Sequence, residues 1–115
     1  MRPNNNHVNY IEFKSNDLTV TKQFYSTCFN WKFTDYGPNY TAFENAGISG
    51  GFEFSESPIV NGVLVVLVHQ DLPKIQRSII EAGGTISVEI FSFPGGERFQ
   101  FLDPSGNELS VWKEV

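Results

Sequence analysis

The sequence predicts an α+β fold of two tandem βαβββ modules, and three observations carry that prediction. Apolar spacing switches between a period of two and a spacing of three and four, which marks strands and amphipathic helices in turn. The order strand, helix, three strands then occurs twice. The two copies are offset by 54 residues: the helix-opening Asp17-Leu18 matches Asp71-Leu72, and Asn30 matches Gly84, so both helical segments keep one length.

Each element has a local reason. A strand is expected from Val8 to Lys14 and a helix from Leu18 to Phe29, where Val20, Phe24 and Cys28, with Tyr25 and Phe29, follow one helical face. Asn16 or Asp17 supplies its cap. Three short strands follow, at about Trp31 to Asp35, Asn39 to Glu44 and Ile48 to Phe54. The break SESPIVNG separates the modules, set at about 7–57 and 61–115 of a single domain spanning 1–115. In the second module a strand from Val63 to Val68 leads to a helix from Leu72 to Ala82. Asp71 caps that helix, Pro73 sits in its first turn, Ile75 and Ile79 mark its buried face, and Gly83-Gly84 ends it. Strands are expected near Thr85 to Ile90, Glu97 to Leu102 and Glu108 to Trp112, the last two joined by the turn DPSGN. The run VLVVLV has nothing polar on either side and is expected to be a central strand, buried on both faces.

A chain of 115 residues has enough sequence for one core. Its 8 basic and 13 acidic residues, a net charge of -5, give no electrostatic footprint for nucleic acid and no basic cluster for an anionic membrane surface. No apolar run approaches the roughly 20 residues of a membrane span. MRPNNNHVNY has neither an apolar stretch nor a small-residue cleavage site, so no export signal is expected. The single cysteine, Cys28, cannot pair within the chain, which fits a reducing cytoplasm, the expected location. On the apolar helix face it reads as a small buried hydrophobe outside the chemistry.

Each helix has to cover one face of its sheet, which leaves the other face free for a site. Ile11 and Phe13 oppose Tyr10, Glu12 and Lys14; Phe52 and Phe54 oppose Gly51 and Glu53; Leu109 and Val111 oppose Glu108, Ser110 and Trp112. Three strands thus offer a carboxylate to a polar surface, Glu12, Glu53 and Glu108, and two facing sheets would enclose a cleft between them. A hard cation such as Mg or Mn held by the three carboxylates, and solvated faces with no site, are alternatives at this point. His7, in a polar segment, and His69, at a strand end beside a helix cap, read as surface residues rather than ligands.

Three stretches, IEFKSNDL…FYSTCFNWKF, DLPKIQRSIIEAGG and FQFLDPSGNELSVW, resemble in their order the vicinal oxygen chelate superfamily of glyoxalases, bleomycin-resistance proteins and extradiol dioxygenases. The resemblance spans nearly the whole chain. It implies paired βαβββ modules forming a cup-shaped mixed sheet around a small-molecule site, and a homodimer with its sites at or near the subunit interface. Metal-dependent members place one ligand, usually His, Gln or Glu, on the first, fourth, fifth and eighth strands. The matching positions here are Tyr10, Glu53, Val63 or Leu64, and Ser110, so one ligand of four remains. A catalytic transition metal needs about three protein ligands. The expectation is therefore no tightly held metal and no other cofactor.

The polar sheet face and the depleted ligand set point to a protein that binds a small molecule, aromatic or cationic, to sequester or sense it. Tyr10, Trp31 and Trp112 are the stacking candidates, and Lys14, Glu108 and Ser110 the polar contacts. The alternative is a glyoxalase-like lyase or isomerase with Glu12 or Glu53 as general base and Tyr10, Ser110 or Lys14 stabilising an enolate.

Overall fold

A computed structural model, which describes residues 4–115, repeats one topology twice. The first module contains β1 (Tyr10–Ser15), α1 (Leu18–Phe29), β2 (Lys32–Asp35), β3 (Tyr40–Glu44) and β4 (Ser49–Phe54). The second contains β5 (Val65–Val68), α2 (Leu72–Glu81), β6 (Thr85–Phe93), β7 (Gly96–Leu102) and β8 (Glu108–Glu114). Each forms a four-stranded mixed sheet, ordered β1-β4-β3-β2 and β5-β8-β7-β6. In both, the first strand pairs parallel with the last and the remaining pairs are antiparallel. Of the two candidate caps for α1, Asp17 is the one used: its carboxylate accepts from the Val20 N–H at 3.1 Å. Asp71 accepts from the Lys74 N–H at 3.1 Å in the same way on α2. Among the described residues no helix is long and apolar enough to cross a membrane.

Helix α1 carries aromatic side chains to both sheets. Tyr25 lies 5.2 Å from Phe52 of β4, whereas Phe24 and Phe29 each lie 5.9 Å from Phe101 of β7. With Phe43, Ile75, Ile79, Phe99, Leu109 and Val111 they form one buried core between the sheets. Removing that much apolar surface from water is the main force holding the modules together.

Two sequence expectations change here. The inner side of each sheet packs on the shared core, so the polar face of each lies on its outer side, and the polar faces do not line a common cleft within one chain. The run VLVVLV is not central. β5 begins only at Val65 and forms the rim of its sheet, with Val66 and Val68 46% and 60% exposed. The cause is topological: the first strand of each module pairs on one side only, and a rim strand's outer face meets no helix.

The DPSGN turn joins the modules. Asp103 Oδ1 accepts from the backbone N–H groups of Ser105, Gly106 and Asn107 at 2.9 to 3.0 Å. Its Oδ2 accepts from the Tyr25 hydroxyl at 2.8 Å and the Asn107 side-chain amide at 3.0 Å. The same amide donates to the Lys14 carbonyl on β1 at 2.8 Å. Asp103 is buried, and that burial pushes its carboxyl up in spite of the donors around it. Gly106, at φ 107°, supplies the left-handed residue of the turn.

Candidate functional site

Strand register assembles one cluster on the outer face of the first sheet. Lys14 of β1 lies opposite Glu53 of β4, which lies opposite Tyr40 of β3; Glu12 lies opposite Gly51. The Lys14 ammonium donates to Glu53 Oε1 and stands 3.9 Å from Glu12 Oε2. The hydrogen bond to Glu53 holds the Lys14 ammonium above its ordinary range, and the charges of both carboxylates add to it. A Cβ at position 51 would run into the Tyr40 phenol, so the glycine lets that ring lie across the strand. The Tyr40 hydroxyl meets the Tyr10 hydroxyl at 2.5 Å. Burial, the bond to Tyr10 and the nearby Glu12 together push the Tyr40 phenol up. Tyr40 is a member the sequence reading missed, although the alternation in YTAFE sends Thr41 and Phe43 inward and Tyr40 outward.

The outer face of the second sheet is ordered in rows. Val68, Trp112, Arg98 and Phe91 lie side by side across β5, β8, β7 and β6, and Val66, Ser110, Gln100 and Val88 form the next row. Two register shifts in β6, between Ile86 and Val88 and between Val88 and Phe91, turn Val88 and Phe91 outward while Ile86 and Ile90 stay packed on the core. The Arg98 guanidinium carbon lies 5.2 Å from the Phe91 ring centre and 5.6 Å from that of Phe93. Phe93 is in turn 6.4 Å from Trp112. Glu108 accepts from the Ser87 hydroxyl at 2.7 Å and the Gln100 amide at 3.1 Å. The Ser110 hydroxyl is buried and donates to the Phe99 carbonyl at 2.9 Å.

Tyr10, Glu12, Lys14 and Glu53 therefore share one face, and Glu108, Ser110 and Trp112 another. The three-carboxylate surface is not formed, nor the Mg or Mn site built on it: among the described residues no three His, Cys, Asp or Glu side chains come together as a metal site. Trp31 is 5% exposed and belongs to the core, with ring centres 4.7 Å from Tyr25 and 4.5 Å from Phe43. An apolar cavity of about 390 Å³ opens between the inner sides of β1 and β5, lined by Ile11, Phe13, Trp31, Phe43, Val65 and Leu67, and none of the polar candidates reaches it. His69 Nδ1 accepts from the Asp71 N–H at 2.9 Å, at the cap of α2. Burial pushes the Cys28 thiol up to about 11, which keeps it protonated and inert at neutral pH.

The model of the Glyoxalase/Bleomycin resistance protein/Dioxygenase superfamily matches residues 7–111. The chain belongs to this superfamily. Among solved structures, a glyoxalase/bleomycin resistance protein/dioxygenase family enzyme from Burkholderia phytofirmans PsJN superposes with a TM-score of 0.82 at 15% identity, over 92% of this chain and 97% of that one. A fosfomycin resistance protein, FosX, from Listeria monocytogenes gives 0.80 at 17% identity, over 95% and 93%. A glyoxalase-related enzyme from Fulvimarina pelagi gives 0.77 at 18% identity, over 95% and 88%. At these identities the likeness is one of fold. A variant of the Listeria protein was solved with Mn(II) and dihydroxypropylphosphonic acid. No curated protein matches the sequence.

Superfamily membership makes the metal question one of donor chemistry. At the four matching positions, the Tyr10 hydroxyl is engaged by Tyr40, Glu53 already carries the Lys14 ammonium, and the Ser110 hydroxyl is committed to a backbone carbonyl. Val63 and Leu64 precede β5 and have no donor atom in their side chains. A single neutralised carboxylate does not fit a divalent transition ion.

Proposed function

We propose that this superfamily member binds a small aromatic molecule on its outer sheet faces without a tightly held metal, to sequester or sense it. The observation that carries this reading is the Lys14 ammonium seated on Glu53, the one remaining ligand of the superfamily's metal set. Lys14 cancels one of the two carboxylate charges beside it, which favours a flat aromatic ligand over a cationic one. Tyr10 on the first sheet and Trp112 on the second supply ring surface. We read a homodimer as pairing beside these faces, at the β5 rim, where Val63 and Val66 leave apolar surface open on each chain.

The proton-transfer alternative has less support, since the ammonium occupies an oxygen of Glu53 that a general base would need free. A panel of planar aromatic compounds, screened by quenching of Trp112 fluorescence, tests the binding reading. At least one compound should quench, with its affinity, read by calorimetry, reduced about tenfold in Trp112→Ala, the loss expected when a stacked ring is removed. Failure of every compound to quench or to raise the melting temperature would remove the proposal. Turnover of a small dicarbonyl that is lost in Glu12→Gln would favour the enzymatic alternative instead.

A further inference from the structure

We infer that Arg98 is an anion subsite, and that the ligand of the second sheet's outer face is a planar aromatic carboxylate or phosphonate. This deepens the small-molecule reading above and rests on it. Three observations converge. Arg98 packs against the rings of Phe91 and Phe93 by cation–π contact, at 5.2 and 5.6 Å. Among the described residues no carboxylate lies within 4 Å of it, and its Nε is buried without a hydrogen-bond partner. A buried, unpaired donor on a permanent cation is costly, and native proteins keep few of them.

The surroundings then say what kind of anion fits. Arg98 stands at the centre of the row Val68, Trp112, Arg98, Phe91, so apolar and aromatic surface flanks the charge on both sides. Phe91 is 37% exposed and Val68 60%, which leaves apolar surface open at both ends of the row. A guanidinium fork matches two oxygens of a carboxylate or phosphonate, and the flanking rings match a flat body attached to it. Two acids of β8 share this face: Glu108 is engaged by Ser87 and Gln100, and Glu114, opposite Gly96 at the strand end, forms no ion pair with Arg98. The two bulges in β6 are what bring Phe91 onto this face at all.

The test compares naphthoate with its neutral isostere naphthamide, by isothermal titration calorimetry and by the NMR signal of the Arg98 Nε–H. Naphthoate should bind at least tenfold more tightly than naphthamide and move the Nε–H resonance. Arg98→Leu should remove that preference, while Arg98→Lys, which keeps charge without the fork, should retain only part of it; melting curves confirm that both variants fold. Equal binding of the two compounds would overturn the anion subsite and leave the aromatic reading standing. Binding of neither at millimolar concentration would overturn both. If Arg98→Leu instead converts a dimer to a monomer without any ligand effect, the guanidinium serves a second copy of the chain, and the subsite is overturned in that way.

Discussion

The outer faces of the two sheets have the same strand order and differ in how their charges are paired. On the first, every charged group in the cluster has a partner: Lys14 sits on Glu53 with Glu12 beside it, and Tyr40 closes on Tyr10. On the second, the central cation has two aromatic rings against it and no acid, and exposed valines lie at the rim. Repeating a backbone does not repeat its chemistry. A mutually satisfied cluster on an open sheet adds little stability and has little reason to take a further charge. An unmatched cation among rings has such a reason.

That contrast can be broken most severely where the modules are tied together. Asp103→Ala leaves the buried Tyr25 hydroxyl, the Asn107 amide and three backbone N–H groups without their acceptor. The expected loss is about 3 kcal/mol or more, read from urea unfolding. A loss near zero would mean that the apolar core alone sets the two faces in place.

A smaller effect separates the faces themselves. Gly51→Ala drives a methyl group into the Tyr40 ring on the first sheet and should cost about 1 to 2 kcal/mol. Val66→Ala, on the exposed rim of the second, should stay within about 0.5 kcal/mol. Equal costs would mean the first face is no more tightly assembled than the second.

The smallest effect is spectroscopic. The Tyr40 phenol is pushed up by burial and by Tyr10, so the folded protein holds that proton through the usual tyrosine range near pH 10. The stability this contributes is complete below about pH 10 and is lost as pH rises toward the folded value. Phenolate absorbance near pH 10 should therefore be the same in wild type and Tyr40→Phe. A weaker signal in the variant would show that Tyr40 ionises like an exposed tyrosine and that the cluster is looser than described.

The fold was legible because it depends on periodicities that local sequence carries. The caps at Asp17 and Asp71, the helix spans and the repeat offset are all short-range signals. Which strand lies at a rim is not: VLVVLV reads as buried on both sides, yet β5 pairs only with β8. Trp31 was equally ambiguous, since a tryptophan beside a helix end packs inward or outward according to contacts with Tyr25 and Phe43, which alternation does not specify. The Lys14–Glu53 pair needed strand register, although both residues stood out in the sequence. Arg98, Phe91 and Phe93 were missed for a different reason. The strand was expected to end at Ile90 but runs to Phe93 through two bulges, and a bulge shifts the face of every residue after it. FSF followed by the PGG turn was the available signal.

The central claim is that Lys14, and not a metal, satisfies Glu53. Elemental analysis of the purified protein, with melting curves before and after chelator and with Mn, Ni and Zn added back, tests it most directly. No stoichiometric metal and no shift with any addition is the expected result. One metal bound per chain, released by chelator and absent from Glu53→Gln, would contradict it.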